Sequence, residues 1–365
     1  MAKSTRSTDR VDSKKGRFLP AFFLLNLSVS ASAYDLSLNL EHQSSHGLMT
    51  AGQWKGEALE QAAPHVISAY RARVSASHEV SDQTWFAEYS TKAYFNGYSN
   101  VLALAARVKD SDAFQLLASG RYKLDGKFSA LRSTDIGVLK KVSWSDQAVL
   151  TLRPYLSLVE HYERIEGSGE IDAQVRNATV KGSVSRVGTR DYGYLVQDRP
   201  DSGWGLGLDL GLKLRQGPWS LQVDAENLLN RLQFSSVHYS QRQYDVAARD
   251  GQLVIKGLGE FSMTGQYGVG KRQERLPVHT FWTLTHAERR GWRGGLFSVD
   301  ERISPWLGYR IESGPMSYDI QTMALNNLAL GAFWSPSQAV HLGAGLTFAR
   351  KSTPALGQLT LLYRF

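Results

Sequence analysis

From Trp204 to Arg215 the chain alternates without a slip: Trp204, Leu206, Leu208, Leu210, Leu212 and Leu214 against Gly205, Gly207, Asp209, Gly211, Lys213 and Arg215. Successive side chains on a strand point to opposite faces, so this run has one wholly apolar face and one of glycine and charge. Gln216-Gly217-Pro218 supplies a tight turn, after which Trp219, Leu221, Val223 and Ala225 oppose Ser220, Gln222, Asp224 and Glu226. Tryptophans mark the far end of the first strand and the turn end of the second. A hairpin with an oil-like face, a wet face and aromatic margins fits a strand pair crossing a bilayer.

The construction recurs. Trp85, Ala87, Tyr89, Ala93 and Phe95 oppose Thr84, Glu88, Ser90 and Lys92, and Leu150, Leu152, Leu156 and Leu158 oppose Thr151, Arg153 and Ser157. Leu307, Tyr309 and Ile311 lead through Ser313-Gly314-Pro315 into Met316, Tyr318 and Ile320, and Val340 to Phe348 alternates with His341, Gly343, Gly345 and Thr347. A soluble sandwich alternates too, burying its apolar face against a second sheet. Two features favour the membrane: the runs are about 10–13 residues long, close to the length that spans a bilayer at a tilt, and the polar faces are rich in glycine and in charges of both signs, as a crowded wet lumen requires.

The chain closes on Phe365, preceded at two-residue steps by Tyr363, Leu361, Leu359 and Gly357. This run resembles the C-terminal assembly signal of bacterial outer-membrane barrels. The resemblance implies a Gram-negative outer-membrane location, surrounding outer-membrane lipids, and the barrel-assembly machinery as a partner during biogenesis.

At the other end a basic stretch finishing at Lys14, Lys15 and Arg17 precedes an apolar run from Phe18 to Leu27 and then Ala31-Ser32-Ala33. The pattern reads as a cleaved signal peptide over residues 1–33, because the apolar run is about half of the roughly 20 residues a spanning helix needs. These residues hold six basic and two acidic side chains, so half of the formal net charge of +8 belongs to the leader. The remainder carries no dense basic stripe, and nucleic-acid binding is excluded as a reading. No cysteine is present among the 365 residues, which removes disulfides, thiolate metal sites and cysteine nucleophiles.

The expected architecture is therefore all-β: residues 34–365 as one transmembrane, antiparallel, up-and-down barrel of about 14 strands, with 12 or 16 also compatible with the length. From Val278 onward about seven runs are separated by short turns. Residues 53–63 read as a short helix or a loop, Val101 to Leu124 mixes helical and strand periods, and Glu163 to Glu170, Arg186 to Gly203 and Lys271 to Pro277 read as longer loops. The hairpin from Gly205 to Asn227 also resembles segments of FadL-like and TraF-like barrels, although the Asn-Pro-Ala motif of the fatty-acid transporter's hatch is absent.

Alternation assigns Arg71, Arg73, Glu88, Lys92, Arg153, Asp209, Lys213, Asp224, Glu226, Arg310, Glu312 and Asp319 to the lumen, six of each sign, which implies at most weak ion selectivity. His42-Gln43-Ser44 resembles the His-x-Ser-Asn element of outer-membrane phospholipases and lipid A deacylases, in which histidine is the base and serine the nucleophile. Here Ser45 replaces the asparagine. His42 and His46 lack a third ligand at metal-site spacing, so neither metal nor cofactor is expected. Three functions remain in order of preference: a channel or transporter for small solutes, a non-conducting structural or assembly partner of an envelope export system, and a lipid hydrolase using Ser44.

Overall fold

The computed structural model describes residues 34–44, 65–80, 83–98, 100–101, 119–174, 177–189, 202–249, 252–253, 261–287, 290–323, 327–337, 340–349 and 355–364. Its strands are β1 (Tyr34–Ser44), β2 (His65–Val80), β3 (Gln83–Tyr98), β4 (Gly120–Lys123), β5 (Gly126–Ser145) and β6 (Ala148–Gln174). Then come β7 (Asn177–Gly188), β8 (Gly203–Gln216), β9 (Trp219–Arg249), β10 (Gln252–Leu253), β11 (Phe261–Glu274) and β12 (His279–His286). The last six are β13 (Arg290–Val299), β14 (Arg302–Ser313), β15 (Met316–Met323), β16 (Asn327–Ser337), β17 (Val340–Ala349) and β18 (Ala355–Arg364).

All pairings are antiparallel, and β1 pairs with β2 on one edge and with β18 on the other, so the sheet returns on itself. The circuit runs β1–β2–β3–β5–β6–β8–β9–β12–β13 and onward in sequence to β18. That is fourteen staves among the described residues, and three of them are interrupted. β4 and β5 lie end to end along β6, β7 and β8 lie end to end between β6 and β9, and β10, β11 and β12 follow one another along β9.

The outside is the apolar face. Trp204, Leu206, Trp219, Trp282, Leu284, Trp292, Leu307, Ile320, Leu330 and Leu346 are all exposed, while their chain neighbours Gly205, Gly207, Thr283, Gly291 and Asp319 are buried. A polar interior inside an apolar wall with aromatic margins is the outer-membrane type of barrel. Short turns join β5 to β6, β8 to β9 and β14 to β15 at one end, where β1 starts and β18 finishes. Gly217 and Gly314 each adopt φ +57 before a proline. Glycine with positive φ suits the first central position of a type II′ hairpin turn, and proline presets the second.

Several expected loops are strand instead. Glu163 to Glu170 lies within β6, Arg186 to Gly188 ends β7, and Lys271 to Glu274 ends β11. β6 and β9 run 27 and 31 residues, well beyond what a bilayer needs. The cause is cross-strand pairing of the polar side chains themselves: Arg186 Nε donates to Glu163 at 2.8 Å, Ser168 meets Ser183 at 3.1 Å, and Lys181 reaches Asp245 at 3.4 Å. Charge in these segments marks strands rising out of the membrane, not irregular chain. Residues 53–63 and most of Val101 to Leu124 lie outside the described residues; of the latter, β4 is strand.

A charge on the outer face should be costly only within the membrane. Leu210→Arg, halfway along β8, should lower unfolding stability in liposomes by about 2–4 kcal/mol. Urea titration followed by tryptophan fluorescence checks this, and an unchanged midpoint would mean that this face does not meet lipid.

Candidate functional site

The inward face of β8 is bare over Gly203, Gly205 and Gly207, and these glycines set what can fill the lumen. A Cβ at Gly207 would collide with the Tyr155 ring, one at Gly205 with Leu232, and one at Gly203 with Phe234. Large side chains from β6 and β9 thus occupy the space that β8 leaves.

Toward the short-turn end the interior is ionic. Arg71 holds Glu41 at 2.8 Å and also contacts Glu226. Arg153 bridges Glu88 at 2.8 Å and Asp209 at 3.3 Å, and Arg73 lies 3.8 Å from Glu88. Asp224 accepts from Gln222 at 2.7 Å. Arg71, Arg73, Arg153, Asp209, Asp224 and Glu226 line one cavity of about 380 Å³. Lys213 lines a neighbouring cavity with Lys141 and Asp146, nearer the turns. Across the ring Asp319 takes a bidentate contact from Arg310, both at 2.8 Å, and a third from Arg293 at 3.0 Å, with Glu312 4.0 Å from Arg310.

One level deeper, Lys92 is buried against Asp135 at 3.4 Å, and Asp135 accepts from Ser133 at 2.8 Å and Ser157 at 2.7 Å. Three members of these networks, Glu41, Asp135 and Arg293, were missed by the sequence reading. Register supplies the missing signal, since Asp135 stands directly opposite Glu88 and Glu41 opposite Arg71.

Above the ions the lumen becomes apolar. Ile67 and Ala69 from β2, Tyr94 from β3, Leu131 from β5, Val159 and Tyr162 from β6, Leu232, Phe234 and Val237 from β9, and Phe297 and Val299 from β13 form one buried cluster. β2 and β13 are seven staves apart in a circuit of fourteen, so the cluster bridges the barrel from wall to wall. Tyr162 stacks on Phe234 with centroids 5.2 Å apart and donates its hydroxyl to Glu274 at 3.2 Å, which Arg164 also holds at 2.9 Å. Asn96 Nδ2 donates to the Val299 carbonyl at 3.4 Å, tying β3 to β13.

The bridge depends on a break in the wall. Between β11 and β12 the chain turns inward, and buried Leu276 joins the cluster. The Leu276 amide donates to Asn230 Oδ1 at 3.2 Å, and Asn227 Nδ2 donates to the Pro277 carbonyl at 3.1 Å and to the Tyr94 hydroxyl at 3.0 Å. Asn227 sits at φ +57, a conformation asparagine tolerates better than most residues. Its own amide donates to Asp209 at 2.9 Å. Side-chain amides thus take over where the strand ladder lapses. Beyond the bridge a second cavity of about 910 Å³ opens among His65, Asn96, Lys127, Glu166, Asp300 and Arg302.

His42 and Ser44 lie on β1 opposite Tyr70 and Ser68, and their side chains fall outside what is described. Leu359, Leu361 and Tyr363 pair with Leu40, Leu38 and Leu36 at the seam, Gly357 is the extra residue of a bulge against β17, and Phe365 lies outside the described residues.

No family model matches the chain, and no curated protein matches it. Among solved structures it is similar to the toluene transporter TodX of Pseudomonas putida, at 8% identity over 92% of this chain and 90% of that one, with a TM-score of 0.40. It is also similar to the CymD monoaromatic hydrocarbon channel, at 8% identity over 91% and 87%, TM-score 0.40. The translocator domain of the autotransporter NalP from Neisseria meningitidis matches at 9% identity over 93% and 90%, TM-score 0.28.

The buried Lys92–Asp135 pair should act as a unit. Removing one partner strands a charge, so Lys92→Met and Asp135→Asn should each cost about 3–5 kcal/mol, whereas the double substitution should cost much less. Equilibrium unfolding of the four proteins tests this, and simple additivity would mean that the two groups do not interact.

Proposed function

We propose that this barrel is an outer-membrane transporter for small, weakly polar solutes, closed at rest across its middle. One observation carries the reading: two separate chambers, about 910 Å³ and 380 Å³, lie on either side of an apolar bridge. The larger chamber is of ligand-binding size. A bridge of Tyr162, Phe234, Leu232 and Phe297 repels hydrated ions, and a solute able to shed its water meets the least resistance there. This reading includes a Gram-negative outer-membrane location, export by residues 1–33, insertion by the barrel-assembly machinery through the Gly357 to Phe365 run, a surround of outer-membrane lipid, and no cofactor. The short-turn end is then periplasmic and the larger chamber faces outward.

The same bridge also favours a second reading, a non-conducting barrel that anchors an envelope partner. Planar-bilayer recording and liposome swelling separate the two. The native protein should give no stable conductance steps, and Tyr162→Ala with Phe234→Ala should introduce them. Native liposomes should nonetheless admit small neutral solutes faster than protein-free ones. Porin-like steps from the native protein would overturn the closed state, and a solute permeability equal to that of protein-free liposomes would leave the anchor reading.

A further inference from the structure

We infer that Arg231 and Arg275 form a binding site on the outer wall for the phosphate headgroup of an anionic membrane lipid. Arg231 is exposed between buried Asn230 and Leu232, so it points outward, and its register partner Leu206 on β8 is an exposed outward residue. Arg275 is likewise exposed between buried Glu274 and Leu276. The β9–β11 ladder ends with Leu232 opposite Glu274, and Arg231 and Arg275 are the next residue on each of the two segments, where the wall breaks. The Leu276 amide bonded to Asn230 keeps the two segments together at this point.

Two exposed like charges on adjoining segments repel one another unless an anion lies between them. The protein supplies none among the described residues. Arg231 Nη2 donates only to the neutral Gln273 side chain, at 2.9 Å, and Arg275 has no carboxylate partner. Farther along the neighbouring strands, Arg186 is matched to Glu163 at 2.8 Å, Lys181 to Asp245 at 3.4 Å, and Lys127 to Glu166 at 3.9 Å.

The position specifies the anion. Trp204, an interfacial tryptophan 50% exposed, pairs with Gln233, and Leu206 and Leu229 are 57% and 65% exposed just below on the apolar belt. A ligand here meets two guanidinium groups at the headgroup level and bare leucine beneath them. Guanidinium forks match phosphate oxygens in bidentate fashion, and leucine receives acyl chain. A phosphate-bearing lipid satisfies both, whereas free phosphate uses only the upper half.

The inference is independent of whether the lumen conducts. The test is native mass spectrometry of the full chain in detergent, titrated with bis-phosphorylated lipid A and with its phosphate-free counterpart. The native protein should bind the phosphorylated form at least tenfold more tightly. Arg231→Gln with Arg275→Gln should bring the two lipids to parity, Arg231→Lys with Arg275→Lys, which keeps the charge and loses the fork, should keep only part of the preference, and Arg186→Gln should leave it intact. Heat-modifiable gel migration reports folding of each variant. If the double glutamine variant fails to fold, Arg275→Gln alone should lower the preference at least threefold. Parity in the native protein, or a full preference in the glutamine variants, would overturn the site.

Discussion

Everything in this structure follows from the requirement that a backbone in lipid satisfy its own hydrogen bonds. A sheet meets it only by having no edge, and here the seam between β1 and β18 removes the last one. Closure then divides every strand into a lipid face and an enclosed face. The leucine face of β8 and the glycine-and-charge face behind it are the two halves of that single constraint.

The enclosed face has to be filled, and two solutions meet in this lumen. Near the short turns, arginines and carboxylates neutralise one another around Arg71, Arg153 and Asp319. Buried pairs of this kind add little net stability but are costly to split, which holds each strand in register. Farther along, aromatic and aliphatic side chains exclude water and join β2 to β13. The glycines of β8 make this possible, because a side chain at Gly207 would take the place of Tyr155. The same packing requires the wall to yield between β11 and β12, where Asn227 and Asn230 restore the hydrogen bonds that the ladder loses. A chamber remains on each side, and the loop-end chamber is large enough to hold a solute.

How far the chain itself announces this differs from part to part. The β8–β9 hairpin was legible from the leucine face through the Gly217-Pro218 turn to Glu226, though not the continuation of β9 to Arg249, and the total of fourteen staves was within reach from length and spacing. The charged runs Glu163 to Glu170 and Lys271 to Glu274 misled, because charge in isolation looks like loop, and only the partner strand shows that Glu163 is answered by Arg186. Asp135 and Arg293 were overlooked for a related reason. Their strands alternate weakly, with small polar neighbours, so their facing was not evident until register placed them beside Lys92 and Asp319.

Where a strand alternates clearly, as β8 does, the sequence by itself determined which side chains face outward and which face inward, because a period of two is a local property of a strand. It also determined the tight turns, through glycine and proline at fixed positions. Only the tertiary structure decided whether the interior is open or bridged. That depends on distances across the ring, where Ile67 and Phe297 meet from opposite walls, and alternation along one strand carries no information about what stands across the lumen.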